Sequence, residues 1–272
     1  MLAFAANSLL CRFALGQELI DSATFATVRV ASGAVTLGII LLMRKTTRVR
    51  FSADWRSVLM LFFYMACFSF AYLSLSAGTG ALILFGAVQL TMFIVALRGG
   101  EYFPLLSWMG LTLAVLGLVY LVSPGLSAPD PLGAVLMAIA GIAWGFYSLL
   151  GRSAADPLEV TAKNFIYCVP LVLMDNLYFF GSFSSTSTGI ALAVTSGAVT
   201  SGIGYVVWYA ALPGLTAARA ATVQLSVPVI AALGGVILLS EDITPRLLLA
   251  SVATLGGVAI VLAQRAIRTP QF

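Results

Sequence analysis

The sequence predicts an all-α integral membrane protein: ten transmembrane helices in two inverted five-helix repeats. Three observations predict it. Of 272 residues, 61% are hydrophobic and 9% charged, with a mean hydropathy of +1.05, against roughly 25% charged residues in soluble domains. The apolar residues fall in runs long enough to cross about 30 Å of hydrocarbon, which takes roughly 20 residues at 1.5 Å each. Finally, Ser8-Leu9-Leu10-Cys11-Arg12 recurs as Ser148-Leu149-Leu150-Gly151-Arg152, 140 positions later.

Taken in order, the runs end at charges and at Pro and Gly clusters. The first, at about 1–15, has no basic region followed by a small-residue cleavage site and is read as a retained helix, although it falls short of a full span. The second, at 21–43, ends at Arg44-Lys45, and a basic stretch over 44–55 leads to the third, at 55–75. The fourth and fifth occupy 78–97 and 102–122, and the sixth, at 131–150, follows Asp130. The seventh to tenth lie at 159–180, 187–210, 215–239 and 245–265. Connections at 16–20, 76–77, 98–101 and 212–214 are short and make consecutive helices antiparallel neighbours.

Ten spans leave no room for a soluble catalytic or nucleotide-binding domain. Cys11, Cys67 and Cys168 fall inside spans without metal-type spacing and read as small buried side chains, so no cofactor or metal is expected. The formal charge of +4 reflects orientation and implies no nucleic-acid partner. Arg44, Lys45, Arg48, Arg50, Arg56, Arg98, Arg152, Lys163, Arg219, Arg265 and Arg268 fall by alternate connections on one side. Glu18, Asp21, Asp130, the uncharged stretch 181–189, Glu241, Asp242 and Arg246 fall on the other. The positive-inside rule then puts both termini in the cytoplasm.

The duplication extends beyond its first landmark. The register sets Phe4 opposite Trp144, Ala5 opposite Gly145 and Asn7 opposite Tyr147. Glu101 and Glu241, and Gly117 and Gly257, keep the offset of 140, while Val88-Gln89-Leu90 matches Val223-Gln224-Leu225 at 135. The halves are 1–124 and 125–272. With five spans each, the second half enters the membrane from the opposite side, so the repeats are inverted and a site between them can face either side.

Polar and aromatic side chains within spans normally turn inward. Gln89 and Gln224, midway along spans four and nine, read either as substrate ligands or as interhelical ties. Trp144 and Tyr147 on span six, and Tyr205 and Trp208 on span eight, repeat an i, i+3 spacing; they read as cavity lining or as part of a headgroup belt, a role that suits Tyr178, Phe179 and Phe180 better. Asn7, Tyr64 and Tyr72 are further candidates. Arg29 lies about eight residues into span two and needs a partner. Asp175 in span seven is the carboxylate expected at comparable depth, giving a gate ion pair; a carboxylate-binding or snorkelling arginine are the other readings. Pro170 and Pro228 are hinge candidates in spans seven and nine, and Ala217, Ala218, Ala220, Ala221, Ala231, Ala232, Gly234 and Gly235 permit close packing.

The segment from Trp208 through Leu-Pro-Gly, the small-residue run with Pro228 and the Ser240-Glu241 turn to Thr244 resembles the drug/metabolite transporter superfamily, in particular its EamA-type branch. Trp144-Gly145 and Ala26-Thr27-Val28-Arg29 look like recurring features of that family, whereas Phe4-Ala5 departs from its usual Trp-Gly. The resemblance implies ten helices, a central cavity and export of small metabolites across a bacterial inner membrane; the nearest group is the YddG-like aromatic amino-acid exporters. The chain has no His, which excludes a Ser/His intramembrane protease, and Asp175 stands alone against a paired-Asp one. No filter motif points to a channel. A proton relay near the midplane is missing, so a uniporter or exchanger is expected.

Overall fold

The structure, a computed structural model, describes residues 1–44, 54–100, 102–125, 127–151, 154, 156–179, 183–211 and 223–268. The helices are α1 (Leu2–Gly16), α2 (Ser22–Met43), α3 (Trp55–Ala71), α4 (Ala77–Arg98), α5 (Leu105–Val122), α6 (Pro131–Gly151) and α7 (Pro157–Tyr178). Next, α8 (Ser187–Thr195) runs without a break through a π-helical stretch (Ser196–Ile203) into α9 (Gly204–Ala211), and α10 (Ser226–Leu239) and α11 (Pro245–Arg268) follow. Counting α8, the π stretch and α9 as one span, the described helices fall where the ten runs were expected. No strand occurs among the described residues; an isolated bridge joins Ile20 to Ser185.

Six spans are long and apolar enough to cross a membrane: α2, α4, α5, α6, the run Ser187–Trp208 and α11. By contrast, α1, α3 and α10 are shorter, at 15, 17 and 14 residues, and α7 carries Glu159, Lys163 and Asp175 along its length. The basic positions Lys45, Arg48 and Arg50, with Glu101, Arg152, Arg219, Phe180 and the small residues Ala217, Ala218, Ala220 and Ala221, lie outside the described residues.

Local chemistry sets the helix starts. Asp21, Asp54, Ser76, Asp156 and Thr186 each accept a backbone N–H of the first turn, which satisfies donors a helix cannot bond internally. Pro157 then takes the first position of α7, where its missing N–H costs nothing. At the far end of α10, Ser240 adopts a left-handed conformation (φ 55°) that lets the chain turn back.

Packing makes one bundle. The pairs are α5 with α11, α3 with α6, α2 with α7, α4 with α6 and with α10, α1 with α10, α3 with α7, and both α1 and α2 with α8 and the π stretch. Small residues bring helices close, as expected where lipid supplies no hydrophobic drive and van der Waals contact must. A Cβ on Gly110 would lie 2.6 Å from the Gly257 carbonyl oxygen, and one on Gly78 would lie 2.8 Å from the Ala232 Cβ. Gly234 packs on Leu9, and Gly235 on the Glu241 carboxylate. Large apolar side chains such as Leu42, Leu116, Leu132, Ile237 and Val252 stand exposed on the outside of the bundle, where acyl chains take the place of water.

Candidate functional site

The interior of the bundle is aromatic. Trp144 on α6 is the hub: its ring centroid lies 4.8 Å from Tyr64 (α3), 5.1 Å from Tyr205 (α9), 5.6 Å from Tyr147 (α6) and 5.9 Å from Phe4 (α1). Phe4 also meets Tyr205 and Trp208 edge-on, at 5.9 and 6.0 Å. Phe165 joins through Tyr205 at 5.8 Å, and Phe68 and Tyr72 extend the chain of rings from Tyr64. Each such pair contributes about 0.5–1.5 kcal/mol beyond burial. Six of the expected residues, Tyr64, Tyr72, Trp144, Tyr147, Tyr205 and Trp208, therefore form one cluster. Tyr178, 84% exposed at the end of α7, lies outside it.

Phe4, Phe68 and Phe165 are members that the sequence reading missed. For Phe4 a signal existed, since the repeat register sets it opposite Trp144, and the two rings touch.

Arg29 sits against this cluster with 0% exposure. Its Nε donates to the Ser201 hydroxyl (3.2 Å) and its Nη2 to the Tyr64 hydroxyl (3.1 Å). The guanidinium carbon lies 5.4 Å from the Tyr64 ring centroid and 4.8 Å from that of Phe68. The expected ion pair with Asp175 does not form. Thr27 donates to the Val172 carbonyl (2.9 Å) and Asn176 to Thr24 (2.9 Å), so the register between α2 and α7 sets Asp175 near the level of Thr24. That is five residues, roughly 7.5 Å, from Arg29 along α2. One Asp175 carboxylate oxygen is buried without a hydrogen-bond partner. Among the described residues the ion pairs are Arg12 with Glu241, Arg44 with Asp156 and Lys163 with Glu159.

Ser201 belongs to the π stretch, which the sequence reading also missed. π-turns concentrate at functional sites, and this one is held from two sides. Asn7 Oδ1 accepts from the Ser196 and Thr200 hydroxyls, which makes Asn7 a tie between α1 and the π stretch. Gly197 lets the stretch approach α2 so closely that a Cβ there would collide with the Arg29 carbonyl oxygen and Ser32. The signal was the run of small polar residues Ser196-Gly-Ala-Val-Thr-Ser-Gly in mid-span, but helical periodicity carries no mark of an added residue per turn.

Gln89 is buried on α4, its amide nitrogen without a hydrogen-bond partner. Gln224 is buried just before α10. Pro170 lies inside α7, which continues past it. Pro228 corrects an expectation: it falls in the first turn of α10, where no internal hydrogen bond is lost, because the helix breaks at Leu225. The helix break at Leu225, inside span nine, precedes Pro228 by three residues. At the bundle end that holds the α3–α4 turn, a cleft of about 200 Å³ is lined by Ser74, Ser76, Thr79, Asp242 and Thr244 among others.

An all-helical bundle with membrane-length apolar helices and an aromatic interior defines a multi-pass membrane protein, and the comparisons place it among transporters. Residues 131–263 match the EamA-like transporter family. An uncharacterized protein of Pseudomonas aeruginosa is 49% identical over 265 residues, which cover 97% of this chain and 92% of that one. An uncharacterized transporter of Archaeoglobus fulgidus is 27% identical over 197 residues, 70% of each chain. A solved structure described only as a crystal structure of a protein superposes with a TM-score of 0.69 over 97% of both chains at 19% identity, which shows a shared fold. Residues 131–263 thus carry an EamA-like transporter family domain, of the drug/metabolite transporter superfamily.

Proposed function

We propose that this chain is a secondary transporter that exports small metabolites, amino acids including aromatic ones, from a bacterial cytoplasm by alternating access, without enzymatic activity. The observation that carries the reading is the buried cluster of Trp144, Tyr147, Tyr205, Tyr64 and Phe4, built by helices of both halves around one guanidinium. A flat apolar side chain can replace ring–ring contacts there with little loss. The same cluster supports a YddG-like aromatic cargo.

The helix packing supports two inverted repeats. Exchanging spans one to five with six to ten turns the contact of α1 with α10 into that of α6 with α4, α3 with α6 into α8 with α1, and α2 with α8 into α7 with α3. It leaves α2 with α7, α4 with α10 and α5 with α11 as self-paired contacts. Ten crossings with both termini cytoplasmic fit this arrangement, and a site between the halves can open to either side. A buried positive charge disfavours efflux of toxic cations. Counterflow in proteoliposomes loaded with phenylalanine, leucine or a quaternary ammonium tests the proposal: exchange of the amino acids supports it, and exchange of the ammonium compound alone refutes it.

A further inference from the structure

Among the described residues the central charge has no counter-charge. Arg29 has 0% exposure, and no Asp or Glu is among the buried residues described; all three ion pairs described involve other cations. Of the five N–H donors on a guanidinium, two are bonded, both to neutral hydroxyls, and Nη1 is buried without a partner. The Tyr205 hydroxyl, on a ring that touches Trp144, is also buried without a hydrogen-bond partner, and the one buried unpartnered carboxylate oxygen described, on Asp175, lies roughly 7.5 Å from Arg29 along α2. The Tyr205 and Tyr64 rings both lie against Trp144, at 5.1 and 4.8 Å. The guanidinium therefore carries an unpaired positive charge with an unused donor, next to a stack of rings.

Resting on the transporter reading above, we infer that Arg29 is the anchor for a carboxylate on the cargo, with Tyr205 as second donor, so that an aromatic or apolar carboxylate is the substrate class and an α-ammonium group is dispensable. A carboxylate accepts bidentately from the guanidinium fork and supplies the missing negative charge. An α-ammonium group beside the anchored carboxylate would meet ring faces and the repulsion of Arg29, because the buried Asp175 oxygen lies roughly 7.5 Å away along α2. The cargo body takes the place of ring–ring contacts against Trp144.

The test compares three probes that share one ring: phenylalanine, 3-phenylpropionate, which lacks the amine, and phenethylamine, which lacks the carboxylate. Binding to the purified protein in detergent is followed by quenching of tryptophan fluorescence, and transport by counterflow. Phenylalanine and 3-phenylpropionate are expected to bind within about threefold of each other and phenethylamine at least tenfold more weakly. Tyr205→Phe, which keeps the ring, weakens the acid several-fold and leaves the amine unchanged; Arg29→Gln abolishes preference for the acid. If Arg29→Gln does not fold, the three probes on the unaltered protein and on Tyr205→Phe decide. Equal binding of the amine and the acid overturns the assignment, as does a Tyr205→Phe variant that binds the acid unchanged. Counterflow that persists without regard to the carboxylate sinks this assignment alone, whereas carboxylate-selective binding without counterflow sinks the transporter reading alone.

Discussion

Arg12 and Glu241 offer a perturbation whose size follows from the geometry. Arg12 Nε donates to Glu241 Oε1 at 3.1 Å, and its Nη1 donates to the carbonyls of Tyr72 and Leu73 at the same distance. Glu241 Oε2 accepts the Ala77 N–H at 2.9 Å, the orphan donor at the start of α4. One ion pair thus fastens the end of α1, the α3–α4 turn and the α10–α11 turn, with side chains 25% and 15% exposed. Removing one member of a fully buried pair costs about 3–5 kcal/mol because the other charge is stranded, and partial exposure discounts that toward about 2 kcal/mol. Glu241→Gln keeps an acceptor for Ala77 and is expected to cost about 1–2 kcal/mol; Arg12→Gln, which loses three bonds, about 2–3 kcal/mol. The double variant strands no charge, so it should cost less than the sum by about 1–2 kcal/mol. Thermal unfolding in detergent reads this as a shortfall of about 2–8 °C in the summed Tm loss, at about 2–4 °C per kcal/mol. Additivity within about 0.5 kcal/mol would show that the two charges do not act as a pair. In the repeat register their counterparts are Arg152 and Glu101, which lie outside the described residues.

Gly197→Ala forces a methyl group into the Arg29 carbonyl and Ser32, so α2 and the π stretch must separate at a cost of about 1–3 kcal/mol; a Tm equal to that of the unaltered protein would contradict the close approach. Asn7→Ala removes the acceptor shared by Ser196 and Thr200 and should destabilise by about 1–3 kcal/mol, measured by the same unfolding assay. Ser240→Gly relieves a non-glycine residue at φ 55° and should raise stability by about 0.5–1 kcal/mol, an outcome opposite in sign to the others. Gly110→Val, where even a Cβ would meet the Gly257 backbone at 2.6 Å, should drive α5 from α11 and reduce the yield of folded protein; normal yield and Tm would refute that helix contact.

Most of the site was legible as a set of residue types, because placing a tyrosine, tryptophan or arginine in mid-span is costly unless it turns inward. Six aromatic candidates met in one cluster for that reason. The partnership of Arg29 was not legible. Depth along each helix can be estimated from sequence, but the axial offset between α2 and α7 is fixed by Thr27 on Val172 and Asn176 on Thr24, and that offset moves Asp175 out of reach. Arg12 and Glu241 were both visible as repeat landmarks, yet nothing in their 229-residue separation announced that they touch.

The sequence by itself determined the membrane class and the placement of the helices, because hydropathy runs and capping residues such as Asp21 and Asp156 act over a few residues. Only the tertiary structure decided which faces turn inward, that span eight widens into a π stretch at Ser196–Ile203, that Pro228 begins a helix, and that a lone guanidinium meets tyrosine, serine and ring faces in place of a carboxylate. The physical reason is that helices apolar on nearly every side carry no strong mark of rotation or axial offset, so close contacts at small residues and a few polar bonds between helices set both.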